Sequence, residues 1–69
     1  SGEIPGSIEE DGKKYKLLCK KYTCVVDRLC YDYLKSRYPE ARVYCLGRNK
    51  PVVFLHGDIV RAVLMPIKT

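Results

Sequence analysis

The spacing of apolar residues changes period along the chain, and each change predicts a different element. Tyr15, Leu17 and Cys19 alternate with Lys16 and Lys20, which predicts a strand over about residues 14–19. From Cys24 to Tyr38 the spacing becomes helical. Val26, Leu29, Cys30, Tyr33, Leu34 and the stem of Arg37 fall on one face, Thr23 stands where an N-cap belongs, and Pro39 stops the run. The opposite face carries Asp27, Arg28 and Lys35 together with Cys24, Tyr31 and Tyr38, which are seven apart and form a second, thin stripe on the expected solvent side.

After Pro39 the period is two. Residues 41–46, 52–56 and 59–65 read as strands, joined by Gly47-Arg48-Asn49-Lys50 and by the two-residue hairpin signal Gly57-Asp58. With that second turn, Leu55 opposes Val60, Phe54 opposes Arg61, Val53 opposes Ala62 and Val52 opposes Val63. One face of the hairpin is then Val53, Leu55, Val60, Ala62 and Leu64, expected to bury the helix. The other holds Val52, Phe54, His56, Ile59, Arg61, Val63 and Met65, a mixture too apolar for water and too polar for a second core. Burying an unpaired Arg is costly, so residues 41–46 are expected to turn Ala41, Val43 and Cys45 inward and to add Arg42 and Tyr44 to the mixed face.

The N-terminal stretch is less defined. Pro5-Gly6 marks a turn in an irregular leader over residues 1–12, and two readings compete for the next segment. Asp11-Gly12 as a hairpin turn sets Glu10 opposite Lys13, Glu9 opposite Lys14 and Ile8 opposite Tyr15; alternatively Ser7 caps a helix with Glu10 three residues on. The fold class expected is α+β: a small antiparallel sheet of about four strands in β-α-β-β-β order, with one helix on one face. Residues 13–69 form its single compact domain.

Size and charge narrow the function. A chain of 69 residues holds one domain, and pockets of about 300 Å³ or more usually need a larger scaffold, which disfavours an enzyme. No stretch approaches the roughly 20 apolar residues of a membrane span, so the protein is expected to be soluble. The net charge of +5 conceals an asymmetry: residues 1–12 carry −4 and residues 13–69 carry +9. Lys13, Lys14, Lys16, Lys20 and Lys21 interleave with Tyr15 and Tyr22, a pattern suited to phosphate contact with base stacking and equally to a solvated basic segment.

The residue pattern offers little catalytic or metal chemistry. Cys19, Cys24, Cys30 and Cys45 lack the CxxC-like pairing of zinc ligands, and Cys19, Cys30 and Cys45 sit at apolar positions, as buried reduced thiols do. Cys45 and His56 fall at opposite ends of their hairpin, beyond hydrogen-bond reach. No cofactor, metal or small-molecule substrate is expected, and the thiols point to a reducing compartment, nucleus or cytoplasm.

Two functions remain. The first is a non-enzymatic module that binds a protein partner or a second copy of itself through Val52, Phe54, Ile59, Arg61, Val63 and Met65 on the sheet and Tyr31 and Tyr38 on the helix. The alternative is a nucleic-acid binder, in which Tyr44 and Phe54 stack on bases while Arg42, Arg61 and the Lys13 to Lys21 run contact phosphate, either on an open sheet face or as a winged-helix-like DNA binder. The apolar content of the mixed sheet face favours the first.

Overall fold

Two glycines set the hairpins at the ends of the chain. Gly12 and Gly57 both adopt φ of +62°, the left-handed conformation a type II′ turn places at its first central position, where only glycine is free of a Cβ penalty. In the computed structural model, which describes residues 2–69, Gly12-Lys13 joins β1 (Ser7–Asp11) to β2 (Lys14–Leu18), and Gly57-Asp58 joins β5 (Val52–His56) to β6 (Ile59–Leu64). Ser1 lies outside the described residues. The remaining elements are β3 (Thr23–Asp27), α1 (Arg28–Arg37) and β4 (Arg42–Cys45).

The fold is α+β, but with two three-stranded antiparallel sheets, β1-β2-β3 and β4-β5-β6, in place of the single four-stranded sheet expected. The order is β-β-β-α-β-β-β. Part of the expected irregular leader is thus a strand. Its hairpin also turns one residue later than Asp11-Gly12 predicts, so that Asp11 pairs with Lys14, Glu9 with Lys16 and Ile8 with Leu17. The physical reason is that a turn over Asp11-Gly12 asks for positive φ at Asp11, whereas Gly12-Lys13 asks it of glycine alone.

The other missing strand lies at the start of the expected helix. Thr23, Val25 and Val26 are β-branched, stiff at χ1 and better suited to a pleated surface than to a helix. They pair with β2, placing Cys24 opposite Leu17 and Val26 opposite Tyr15. Asp27 takes over the capping role assigned to Thr23: its Oδ2 accepts from the Cys30 N–H at 2.9 Å. The helix keeps 10 residues and ends as expected before Pro39, with the Tyr38 N–H donating to the Leu34 carbonyl.

Backbone bonds also join the two sheets at both seams. Before β1, Glu3 exchanges two hydrogen bonds of 2.8 Å with Cys45 at the end of β4; after β6, the Ile67 N–H donates to Val25 in β3 at 2.8 Å. Between the sheets lies the core: Leu17, Cys24 and Val26 from one, Val43, Cys45, Val52, Phe54 and Leu64 from the other, with Ala41 and Tyr31 from the flanking segments. No charged or polar side chain is buried among the described residues.

The inward face of β5 is the reverse of the one expected. The six-residue connection between β4 and β5 pairs Val43 with Phe54 and Cys45 with Val52, so keeping Arg42 and Tyr44 outside forces Phe54 and Val52 inside. Without further change the tight turn at Gly57 then brings Arg61 inside, opposite Phe54. A β-bulge between Phe54 and Leu55 resolves the conflict: Leu55 still pairs with Val60, but Phe54 now pairs with Ala62 and Val52 with Leu64, leaving Arg61 unpaired. The side chains at Ala62 and Leu64 stay inward as expected, while Val60 goes outward with Leu55.

Phe54 is fully buried and is truncated only at a cost of about 3–5 kcal/mol. That approaches the whole stability of a small domain, about 5 kcal/mol at the lower end. Phe54→Ala is therefore expected to unfold the protein or nearly so, read as loss of the cooperative transition in a urea titration. A second expectation concerns pH. Accepting the Cys30 N–H holds Asp27 below its ordinary value, so its cap contributes stability above the unfolded-state pKa and loses it as pH falls through the lower folded value. On acidification below about pH 4, wild type should lose thermal stability that Asp27→Asn, whose amide does not titrate there, does not lose.

Candidate interaction surface

Helix α1 turns its expected solvent face to the core. Tyr31 is buried and Tyr38 half-buried, because Tyr31 packs edge-on against Tyr15, with ring centroids 5.3 Å apart, and lies 5.8 Å from Phe54 in a tilted pair. Tyr15 is itself fixed by an O–H donated to Asp32 at 2.8 Å and by the Arg28 guanidinium 5.7 Å from its ring. This chain of rings draws in the Tyr31–Leu34–Tyr38 side. The residues that helical spacing marked as core go outward: Leu29 is 78% exposed and Tyr33 66%. With Cys30, Leu34 and Leu64 they line an open apolar groove between α1 and β6.

β6 continues the surface. It pairs with β5 on one side only, and Ile59–Leu64 has no strand on the other. Ile59, Val60, Val63 and Met65 are each more than half exposed. On the outer face of the sheet, Val63, Val53 and Tyr44 form one cross-strand row and Val60, Leu55 and Arg42 the next. Of the partner-binding residues expected from sequence, Ile59, Arg61, Val63 and Met65 are thus exposed, whereas Val52, Phe54 and Tyr31 are core and unavailable to a partner. Leu29, Cys30, Tyr33, Val60 and Leu64 were not among them. The signal for the helix residues lay in Val25-Val26 followed by Asp27, which ends a strand and caps a helix one turn later than Thr23.

At the far end of the helix the character changes. Arg37 and Arg61 place their guanidinium carbons 4.9 Å and 5.4 Å from the centroid of the Tyr38 ring. Together with Pro39, Glu40 and His56 they border an open recess of about 330 Å³. Glu40 lies 3.7 Å from His56 Nε2.

The expected basic patch is dispersed. The hairpin sets Glu9 opposite Lys16 and Asp11 opposite Lys14, with Lys13 in the turn, so acidic residues stand beside the start of the lysine run. Lys16 lies 3.7 Å from Asp11, and Glu10 accepts from Arg28 at 2.8 Å. Lys20 and Lys21 remain on the exposed connection before β3. Of the expected stacking residues, Tyr44 is half-buried on the outer sheet face beside Arg42, and Phe54 is enclosed.

The four cysteines are free. Cys24 and Cys45 are buried and Cys19 is half-buried against them; Cys24 Sγ lies 3.0 Å from the Gly47 carbonyl. Burial pushes the Cys45 thiol far up, and the Cys24 and Cys19 sulfurs beside it add to the rise. Cys30, expected at an apolar core position, is instead exposed on the groove, its thiol raised by its hydrogen bond to Asp27. Among the described residues no set of three His, Cys, Asp or Glu side chains is arranged to hold a metal ion, and no helix is long and apolar enough to cross a membrane.

Compared with known protein families, curated proteins and solved structures, the chain matches none. The α+β class stands on the fold itself. Access orders the thiols: native alkylation with iodoacetamide is expected to modify Cys30 first and Cys19 more slowly, and to spare Cys24 and Cys45 until denaturant is added. Peptide mass spectrometry over a time course reads that order directly.

Proposed function

We propose that this chain is a non-enzymatic protein-binding module whose partner, another protein or a second copy, covers the groove between α1 and β6 and the outer side of β6. The observation that carries this reading is the exposure of Leu29 and Tyr33, one helical turn apart, beside Leu64 and an unpaired strand edge. Exposed apolar patches of this kind mark interaction sites. The open edge of β6 offers backbone donors and acceptors that an added strand would satisfy. Four free thiols fit a reducing compartment, nucleus or cytoplasm.

The alternative, a nucleic-acid-binding domain, retains Arg42, Tyr44 and Arg61 and the net charge of +5. It has less support, because Phe54 is enclosed and the first half of its lysine run faces carboxylates.

A photo-crosslinking residue in place of Tyr33 or Val63, in the chain expressed in cells, is expected to give discrete protein adducts. The same residue at Lys50, on the connection between β4 and β5, is expected to give none. Leu29→Lys should abolish the adducts at position 33 while leaving the urea midpoint within about 0.5 kcal/mol of wild type, as for other exposed positions. Sedimentation of the purified chain then sorts a second copy from another protein. Position-independent adducts, with tight salt-sensitive binding to a mixed oligonucleotide in fluorescence anisotropy, would give the alternative precedence.

A further inference from the structure

Leu29, Tyr33 and Arg37 follow one another at four-residue spacing along the open face of α1, a span of about 12 Å at the helical rise. β6 runs beside them in the opposite sense. Leu64 lines the groove with Leu29 and Tyr33, while Arg61 reaches Tyr38 at the other end of the helix. The surface is therefore bipartite, with an apolar half and a cationic end.

The cationic end depends on a specific backbone feature. Arg61 is the residue that the β-bulge leaves unpaired, and such bulges serve to re-aim a side chain. Here the bulge keeps Arg61 out of the core, and its guanidinium packs on the ring that Arg37 also approaches. Among the described residues neither guanidinium has a carboxylate within 4.0 Å; Glu10 is engaged by Arg28 and Asp11 by Lys16, and Glu40, which borders the same recess, lies 3.7 Å from His56 Nε2. Both guanidinium groups border the same recess, so an anion bound there is attracted by two cations at once.

We propose that Arg37, Tyr38 and Arg61 form an oxyanion site that receives an acidic or phosphorylated side chain of the protein partner, while that partner's apolar residues occupy the groove between α1 and β6. The source of the anion rests on the protein-binding reading; the oxyanion site itself does not. Planar guanidinium forks match carboxylate and phosphate oxygens in pairs. The partner segment is accordingly an amphipathic peptide whose apolar anchors lie about 6–12 Å from its anionic residue.

The test is NMR of the full chain with labelled arginine side chains, titrated with inorganic phosphate, with acetate and, at matched ionic strength, with chloride. Expected are saturable shifts of the Arg37 and Arg61 Nε–H and the Tyr38 ring with phosphate and with acetate, and none with chloride. Arg61→Gln or Arg37→Gln should each weaken phosphate binding about tenfold, the loss of one charge-assisted contact, and Lys50→Gln should leave it unchanged. Shifts that chloride reproduces, or that persist undiminished in Arg61→Gln, overturn the site.

The source is tested with a pair of amphipathic peptides identical except for serine or phosphoserine at the anionic position. The phosphopeptide should bind more tightly, with the difference lost in Arg61→Gln. A mixed oligonucleotide that displaces phosphate and outcompetes the phosphopeptide overturns the peptide source in favour of nucleic acid. Phosphate binding without a crosslink at position 33 overturns the protein-binding reading and leaves the oxyanion site standing; the crosslink without phosphate-specific shifts does the reverse.

Discussion

Phe54 needs apolar neighbours on every side, and that need propagates through the C-terminal half of the molecule. Once it points inward, pairing with Val43 on one strand and Ala62 on the other fixes which residues of β4 and β6 share its face. The turn at Gly57 begins in the register that puts Arg61 opposite Phe54, and an unpaired guanidinium against a buried ring costs several kcal/mol. The bulge is the cheaper solution: it forgoes one ladder position and lets Ala62 and Leu64 face the core. It also delivers Arg61 to Tyr38. A packing constraint in the interior thereby sets the chemistry of the surface.

The same ring reaches the helix through Tyr31. Edge-on contact with Tyr15 and tilted contact with Phe54 link the first sheet, the helix and the second sheet through three aromatic side chains. Such contacts add about 0.5–1.5 kcal/mol each beyond the area they bury, enough to decide between two helix faces of similar apolar content. The face that loses carries Leu29, Cys30 and Tyr33. Its exposure is a direct result of the choice of Tyr31, and so the exposed apolar face and the core are consequences of one rotation of α1.

These couplings separate the features legible in the sequence from the rest. Element types after Pro39, the Gly57-Asp58 turn with its first two pairs, and the inward set Ala41, Val43 and Cys45 come from local spacing and from the cost of burying Arg42, and the structure has all of them. Three features do not come from local spacing. A single bulge inverts the face of everything on one side of it, and no periodicity within residues 59–65 marks where it falls. The strand Thr23–Asp27 carries a pattern that continues smoothly into the helix, so period alone merges the two elements. The orientation of α1 is decided by Tyr15 and Phe54, distant in sequence. Of the candidate site, Ile59, Arg61, Val63 and Met65 were therefore recoverable, whereas Val60 and the helix residues Leu29, Cys30 and Tyr33 were assigned to the wrong side.

The charges reinforce this arrangement. The acidic leader and the start of the lysine run lie on adjacent strands, where Glu9, Glu10 and Asp11 meet Lys14, Lys16 and Arg28, so this hairpin contributes no net field. The surplus of +5 therefore comes from the rest of the chain, where Arg37 and Arg61 approach one ring with no carboxylate within 4.0 Å of either among the described residues. Small domains expose a large share of their apolar surface for geometric reasons alone, and scattered single residues carry no meaning. Here the exposed apolar residues are not scattered: Leu29 and Tyr33 succeed each other on one helix face, Val60 and Val63 lie on β6 with Met65 just past its end, and the two elements meet at Leu64. Apolar residues therefore line the groove at one end of α1, and Arg37 and Arg61 border the recess at the other.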